Sequence, residues 1–182
     1  MSDQEEIEFF DPLRENAAKL LNTTKEKIAI IGSSSEMLSQ LPLIFKPKAN
    51  SKILVVSSDF PAITRPWISY SKHNNCKINF IDEIPCESLT DTIIKNIDSE
   101  TAVVAISLVQ FSTGTRINPY KLREATKNVG AKLILDATQA AGAMPIESDN
   151  YNADVIVCSG YKWLGGHGGV GIAAISNEFL KK

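Results

Sequence analysis

Short apolar runs alternate with amphipathic segments along this chain of 182 residues. The runs are short, partly β-branched and bounded by turn residues, a pattern that indicates buried strands. They predict strands at 27–31, 52–57, 77–81, 101–108, 132–135, 154–158 and 170–175.

Between these runs, apolar residues recur at helical spacing, so each segment predicts a helix with one apolar face. The helices are predicted at 11–22, 37–45 (opened by the loop 32–36), 62–73, 88–97 and 118–130. Asp11 and Pro12 have the residue types of an N-cap and a first helical position. The first helix is therefore expected to begin there, and residues 1–10 are expected to form a tail.

This alternation of strands and helices predicts the fold class. Residues 11–182 are expected to form one α/β domain of three layers (αβα), with a mostly parallel sheet between two layers of helices. The last strand is the candidate for antiparallel pairing.

Composition narrows the function classes. The formal net charge is −2, and 43% of the residues are hydrophobic. The sequence has no basic block interleaved with aromatic residues, so nucleic acid is not an expected partner. It has no apolar run of membrane-spanning length, and its acidic start is unlike a signal peptide, so we expect a cytoplasmic protein without a membrane partner.

The cysteines and histidines do not predict a metal site. Cys76, Cys86 and Cys158 are odd in number and lack metal-binding spacing, which fits a reducing cytoplasm. His73 and His167 lie far apart in the sequence, and neither has a neighbour typical of a metal ligand.

Two polar segments follow two of the predicted strands. Asp136 comes directly after the run 132–135, and Lys162 lies shortly after the run 154–158. The carboxyl ends of parallel strands meet at one edge of a sheet, where ligands bind, so an acid and a lysine are expected at the same edge. Each residue also has a simpler interpretation. Asp136 and Gln139 have the D-x-x-Q pattern of a capping box opening a short helix, and an isolated lysine beside a tryptophan is typical of a protein surface.

The blocks DATQ (136–139) and SGYKW (159–163), followed by a glycine-rich turn, resemble the class V aminotransferase family of pyridoxal phosphate (PLP) enzymes. That family includes cysteine desulfurases, kynureninases and isopenicillin-N-epimerase-like proteins. The resemblance implies that Lys162 forms a Schiff base with PLP, that Asp136 pairs with the pyridinium nitrogen and that Gln139 lies near the ring hydroxyl. The chemistry agrees, because PLP acts as an electron sink while its ring nitrogen is protonated, and a nearby carboxylate favours that charged form.

The resemblance also implies a phosphate site. The loop 32–36 opens a helix, whose free backbone N–H groups and positive dipole end suit a phosphate. Ser34 and Ser35 stand at the small-residue and threonine positions of the family's phosphate loop, and Ser159 and Tyr161 are expected beside the same phosphate. Plain N-capping by a serine is the alternative.

Three further residues match the family, and each also has a simpler interpretation. Phe60 follows the strand 52–57 at the place where kynureninase-like members carry an aromatic residue that stacks on the pyridine ring, although it is equally typical of a core residue. Gln110 and Ser112 follow the strand 101–108 and are candidate substrate contacts, although satisfied polar groups of a strand-to-loop turn have the same pattern.

One glycine motif matches the pattern of a dinucleotide-binding site. The segment 166–171 spells G-x-G-x-x-G, but it precedes a predicted strand instead of opening a helix. A dinucleotide site requires a glycine motif that opens a helix, so NAD binding is not predicted.

The resemblance covers nearly the whole chain and implies the large domain of a fold-type I PLP enzyme, a homodimer and an amino-acid substrate. Family members also have a small C-terminal domain, which usually supplies an arginine for the substrate carboxylate. No residue here matches that arginine, so the chain is expected to be the large-domain portion of an enzyme. The alternatives are a PLP-binding but inactive single domain and an interaction module that has lost its cofactor. The joint presence of Asp136, Gln139 and Lys162 argues against the interaction module.

The reaction that follows cofactor attachment is not readable from these residues. Transamination, desulfuration, β-elimination and hydrolytic C–C cleavage share their first step. Desulfuration is disfavoured, because Cys76 and Cys86 come too early in the chain to match the family's nucleophilic cysteine.

Overall fold

The computed structural model describes residues 2–180 and contains a seven-stranded mixed sheet. The strands are β1 (Ile28–Ile31), β2 (Lys52–Val56), β3 (Lys77–Ile81), β4 (Thr101–Ser107), β5 (Lys132–Asp136), β6 (Val155–Ser159) and β7 (Gly171–Ile175). Their order is β1-β7-β6-β5-β4-β2-β3. Five neighbouring strands, β6, β5, β4, β2 and β3, pair in parallel, whereas β7 pairs antiparallel with both β6 and β1.

Helices cover both faces of the sheet. They are α1 (Asp3–Leu21), α2 (Ser34–Phe45), α3 (Pro61–Asn74), α4 (Leu89–Lys95), α5 (Pro119–Val129), α6 (Ser148–Tyr151) and α7 (Asn177–Leu180). Side chains alternate along β2, so Ile53 and Val55 join one apolar cluster, while Leu54 and Val56 join the other. Buried residues of α2 and α3 complete the first cluster, and those of α1, α4 and α5 complete the second. The predicted three-layer α/β fold with a mostly parallel sheet is confirmed.

Local signals set the ends of α5 as the sequence indicates. The Asn118 side chain accepts the Lys121 N–H at 3.1 Å, and Pro119 is the first helical residue. Gly130 ends the helix with φ of 76°, a left-handed conformation that glycine adopts without steric cost. The same logic holds at α4, where Ser88 caps the helix by accepting the Asp91 N–H.

The first helix begins earlier than predicted. It starts at Asp3, and Ser2 caps it in a capping box in which the Glu5 side chain accepts the Ser2 N–H at 2.6 Å. Residues 3–10 are therefore helical, and Pro12 lies inside the helix. Asp11 accepts from Lys25 at 2.8 Å and so serves as an ion-pair partner instead of a cap.

No helix among residues 2–180 combines the length and apolar character that crossing a membrane requires.

A buried carboxylate ties together the amino end of the sheet. Asp154 is fully buried and accepts from Arg123 Nη1 at 3.1 Å, Lys132 Nζ at 2.7 Å and the Leu133 N–H at 3.0 Å. These bonds join α5, the start of β5 and the turn before β6. A buried carboxylate with two cationic partners is stable as a set, and removing one member leaves uncompensated charge.

We expect Asp154→Ala to lower the free energy of unfolding by about 3–5 kcal/mol, because Arg123 and Lys132 lose their shared partner. Urea or thermal unfolding measures the change. Asp149→Ala removes a surface partner of Lys27 and is the matched control, with an expected loss within about 1 kcal/mol. Equal losses in the two variants would contradict this role of Asp154.

Candidate functional site

A cavity of about 50 Å³, partly open to solvent, lies at the carboxyl edge of the sheet. All eight residues predicted to bind the cofactor line it: Ser34, Ser35, Phe60, Asp136, Gln139, Ser159, Tyr161 and Lys162. They come from four separate segments of the chain, so the sheet topology is what brings them together.

Asp136 forms the buried end of the cavity. It is the last residue of β5 and is 4% exposed, and its Oδ1 accepts the Thr138 N–H at 2.8 Å. Burial raises the pKa of the Asp136 carboxyl to about 6, against hydrogen bonds from Thr138 that lower it, and the charge of Asp59 adds to the rise. The residues after Asp136 form a turn, so the short helix suggested by the D-x-x-Q pattern is not formed.

The start of α2 forms a second wall. Ser33 is the N-cap, and its Oγ accepts the Glu36 N–H at 3.0 Å, so Ser34 and Ser35 are the first helical residues. The buried hydroxyls of Ser34 and Ser159 are hydrogen-bonded at 2.5 Å. A Cβ at Gly171 would lie 3.2 Å from the Ser34 nitrogen, so glycine permits this close approach between β7 and α2.

Lys162 lies in the exposed turn that follows β6. Its Nζ is 5.3 Å from the centre of the Tyr161 ring, within the range of a cation–π interaction. The turn is tied to the Asp136 segment, because the Ser159 N–H donates to Thr138 Oγ at 3.1 Å. The two predicted blocks, 136–139 and 159–163, are therefore physically joined.

Gln139 has a defined orientation. Its Oε1 accepts from the indole Nε1 of Trp163 at 3.1 Å, which leaves the amide nitrogen as the donor. The residue lines the cavity, so its free group at this wall is a hydrogen-bond donor.

The two predicted substrate residues do not line this cavity. Gln110 is 1% exposed, and its Nε2 donates to Asp59 Oδ2 at 3.2 Å, behind the cavity wall. Ser112 is exposed in the following turn and lies outside the lining set.

Sequence reasoning missed other residues of the wall. Ser107, Phe111 and Thr138 line the cavity. The rings of Phe60 and Phe111 meet edge to face, with centroids 5.4 Å apart. Ser107 does carry a sequence signal, since it ends a buried apolar run at the same edge of the sheet as Asp136.

Within residues 2–180, no group of three or more histidine, cysteine, aspartate or glutamate side chains is placed to hold a metal ion.

A family model, described as aminotransferase class-V, matches residues 2–182. The chain belongs to the class V aminotransferase family. The predicted family and its cofactor, pyridoxal phosphate, are thereby confirmed.

The class V chain resembles both kynureninases and cysteine desulfurases. It is 29% identical to a kynureninase of Yarrowia lipolytica over 93% of its own length and 41% of that protein. It matches the apo structure of a cysteine desulfurase from Thermococcus onnurineus NA1 with a TM-score of 0.88 and 25% identity, over 98% of this chain and 45% of that one. A C-DES mutant with glycine covalently linked to its PLP cofactor has the same fold, with a TM-score of 0.87 at 16% identity over 98% of this chain and 48% of that one. The class V chain thus spans less than half of the length of these relatives.

The residues at the closed end of the cavity fit the cofactor of the family. A buried carboxylate with a raised pKa is better ionised when a cationic N–H lies against it, and a protonated pyridine ring supplies one. The start of α2 suits the phosphate group, because the positive dipole end and free N–H groups of a helix start attract an anion.

We expect Asp136→Asn to stabilise the protein without cofactor near neutral pH. The folded carboxyl has a pKa of about 6 and the unfolded one about 3.9, so the folded state binds the proton more tightly. Stability of the natural protein therefore falls as the pH rises from about 4 to about 6. Asparagine does not ionise, so the free energy of unfolding should rise by roughly 2–3 kcal/mol near pH 7.5.

Urea unfolding at several pH values measures this effect. The advantage of Asp136→Asn should vanish near pH 3.5, where the aspartate is protonated in both states. Asp82→Asn, on the exposed loop after β3, is the control and should bring no such pH-dependent gain. A loss of stability in Asp136→Asn at neutral pH would contradict the prediction.

Proposed function

We propose that this chain, with α1 as its first element, is the PLP-binding large domain of a class V enzyme that acts on an amino acid, and that it is part of a longer protein. The observation that carries the proposal is that Asp136, Lys162 and the start of α2 border one cavity. Acid, lysine and helix start match the ring nitrogen, the aldehyde and the phosphate of one cofactor. The coverage of less than half of each relative described above supports the second part.

Bound PLP supplies an electron sink that weakens the bonds at the α-carbon of an amino acid. Asp136 has the role of keeping a proton on the ring nitrogen, because burial makes its ionised form costly unless a cationic group lies against it. Lys162 has the roles of attaching the cofactor and of moving a proton at its Nζ. Its exposed turn gives that atom the freedom that both roles need.

The remaining residues orient the cofactor. Phe60, half-exposed and backed by the Phe111 ring, presents an apolar face to the cavity. Gln139 offers an amide donor that suits the ring hydroxyl, with its orientation fixed by Trp163. Ser34, Ser35, Ser159 and Tyr161 are the proposed phosphate ligands.

The proposal also includes a homodimer in the cytoplasm. Large apolar side chains are exposed around the cavity, among them Tyr161 at 48% and Trp163 at 60%. Exposed apolar patches of this kind mark surfaces that another chain or domain covers.

Attachment at Lys162 is the direct test. Protein mixed with PLP and reduced with borohydride should carry the pyridoxyl group on Lys162, located by peptide mass mapping. Lys162→Ala should lose the label, and Lys72→Ala, on the exposed face of α3, should keep it. A label on another lysine, or no label, would contradict the proposed attachment of PLP to Lys162.

The phosphate site has a separate test. Replacing Ser34 and Ser35 together with alanine should raise the dissociation constant for PLP about tenfold, because hydrogen bonds to a charged group are lost. Pyridoxal, which lacks the phosphate, should bind almost as before. Ser39→Ala, exposed on the same helix, is the control for an effect on α2 itself. Equal weakening of the two ligands would rule out a phosphate-specific role.

A further inference from the structure

A second buried carboxylate lies beside the cavity. Asp59, in the turn between β2 and α3, is 5% exposed. Its Oδ1 accepts the Phe60 N–H at 2.7 Å and the Ser107 hydroxyl at 2.6 Å. Its Oδ2 accepts the Ser107 N–H at 2.7 Å and the Gln110 amide at 3.2 Å. All four donors are neutral groups.

These bonds join segments that border the cofactor cavity. Phe60 and Ser107 both line it. Ser107 is also the direct neighbour of Asp136 in the parallel pairing of β4 with β5. Asp59 therefore connects the aromatic wall of the cavity with the strand end beside the acid that faces the cofactor ring.

The strength of these contacts follows from charge. Hydrogen bonds to a carboxylate are roughly twice as strong as bonds between neutral groups. Four of them on one buried side chain restrict the backbone at Phe60 and at Ser107. A neutral residue at this position would satisfy fewer of the donors.

We propose that Asp59 is a positioning residue of the cofactor site, which holds Phe60 and Ser107 in place and sets a second negative charge beside Asp136. The role of Phe60 rests on the proposed function, whereas the effect on Asp136 is a property of the protein without cofactor. The second charge makes the cavity more favourable for a protonated ring nitrogen, because both carboxylates attract the same cation.

The groups that face Asp136 are few. Burial raises the pKa of the Asp136 carboxyl, hydrogen bonds from Thr138 lower it, and the charge of Asp59 adds a smaller rise. The buried Cys158 thiol also faces Asp136, and burial raises its pKa to about 12, so it stays neutral through the acidic range. Lys162 lines the same cavity.

The experiment compares Asp59→Asn with the natural protein and with Asp82→Asn, which removes the same charge from the exposed loop after β3. Carbon-13 NMR follows the titration of the Asp136 carboxyl without cofactor, and absorbance titration gives the affinity for PLP. Asp59→Asn should lower the pKa of Asp136 and weaken PLP binding about tenfold, which is 1.4 kcal/mol. Asp82→Asn should change neither quantity.

An Asp136 titration in Asp59→Asn that matches the natural protein overturns the proposal, even if affinity falls, because the effect would then be structural. If the natural protein does not bind PLP, the proposed function fails, and the NMR titration still decides whether Asp59 acts on Asp136. Should Asp59→Asn fail to fold, Ser107→Ala removes one of the four contacts and keeps the charge. PLP binding should then weaken severalfold, and unchanged binding overturns the proposal.

Discussion

The burial of Asp136 at the end of β5 is the constraint on which the site depends. Asp136 is 4% exposed, and burial raises the pKa of its carboxyl to about 6. At neutral pH the protein therefore contains an ionised carboxylate that is shielded from solvent. A cation at the cavity relieves this cost, because opposite charge favours the ionised form. The free energy of folding and the affinity for a protonated ring are therefore coupled through one side chain.

The parallel pairing of the central strands gives Asp136 its neighbours. Ser107, Asp136 and Val157 lie side by side in the register of β4, β5 and β6, so the loops after these strands leave the sheet at the same edge. The antiparallel strand β7 adds a different contact. Gly171 lets the start of α2 approach β6, so Ser34 bonds Ser159, 125 residues later in the chain.

The parts of the site that sequence reasoning finds are those encoded locally. Asp136 and Lys162 each follow an apolar run, and Ser34 stands at a helix start, so strand period and capping chemistry locate all three. The predicted start of α1 at Asp11 and Pro12 is wrong, because the Ser2–Glu5 capping box begins the helix earlier and Pro12 lies inside it. The role of Asp59 depends on Ser107, 48 residues away, and no local pattern carries that pairing.

Gln110, one of the two predicted substrate contacts, is buried and does not line the cavity. A polar residue just after a strand end was expected to face the substrate, but its amide binds Asp59 behind the wall. The side chains that remain exposed nearby are aromatic, with Phe111 at 46% and Tyr161 at 48%. Polar groups thus stabilise the cavity wall from behind, while aromatic side chains form its solvent-exposed rim. Lys162 is the one cationic side chain among the described residues that line this cavity, and the proposed function assigns it to the cofactor. Recognition of the charged end of the proposed amino-acid substrate is therefore expected from surfaces that pack over the aromatic rim.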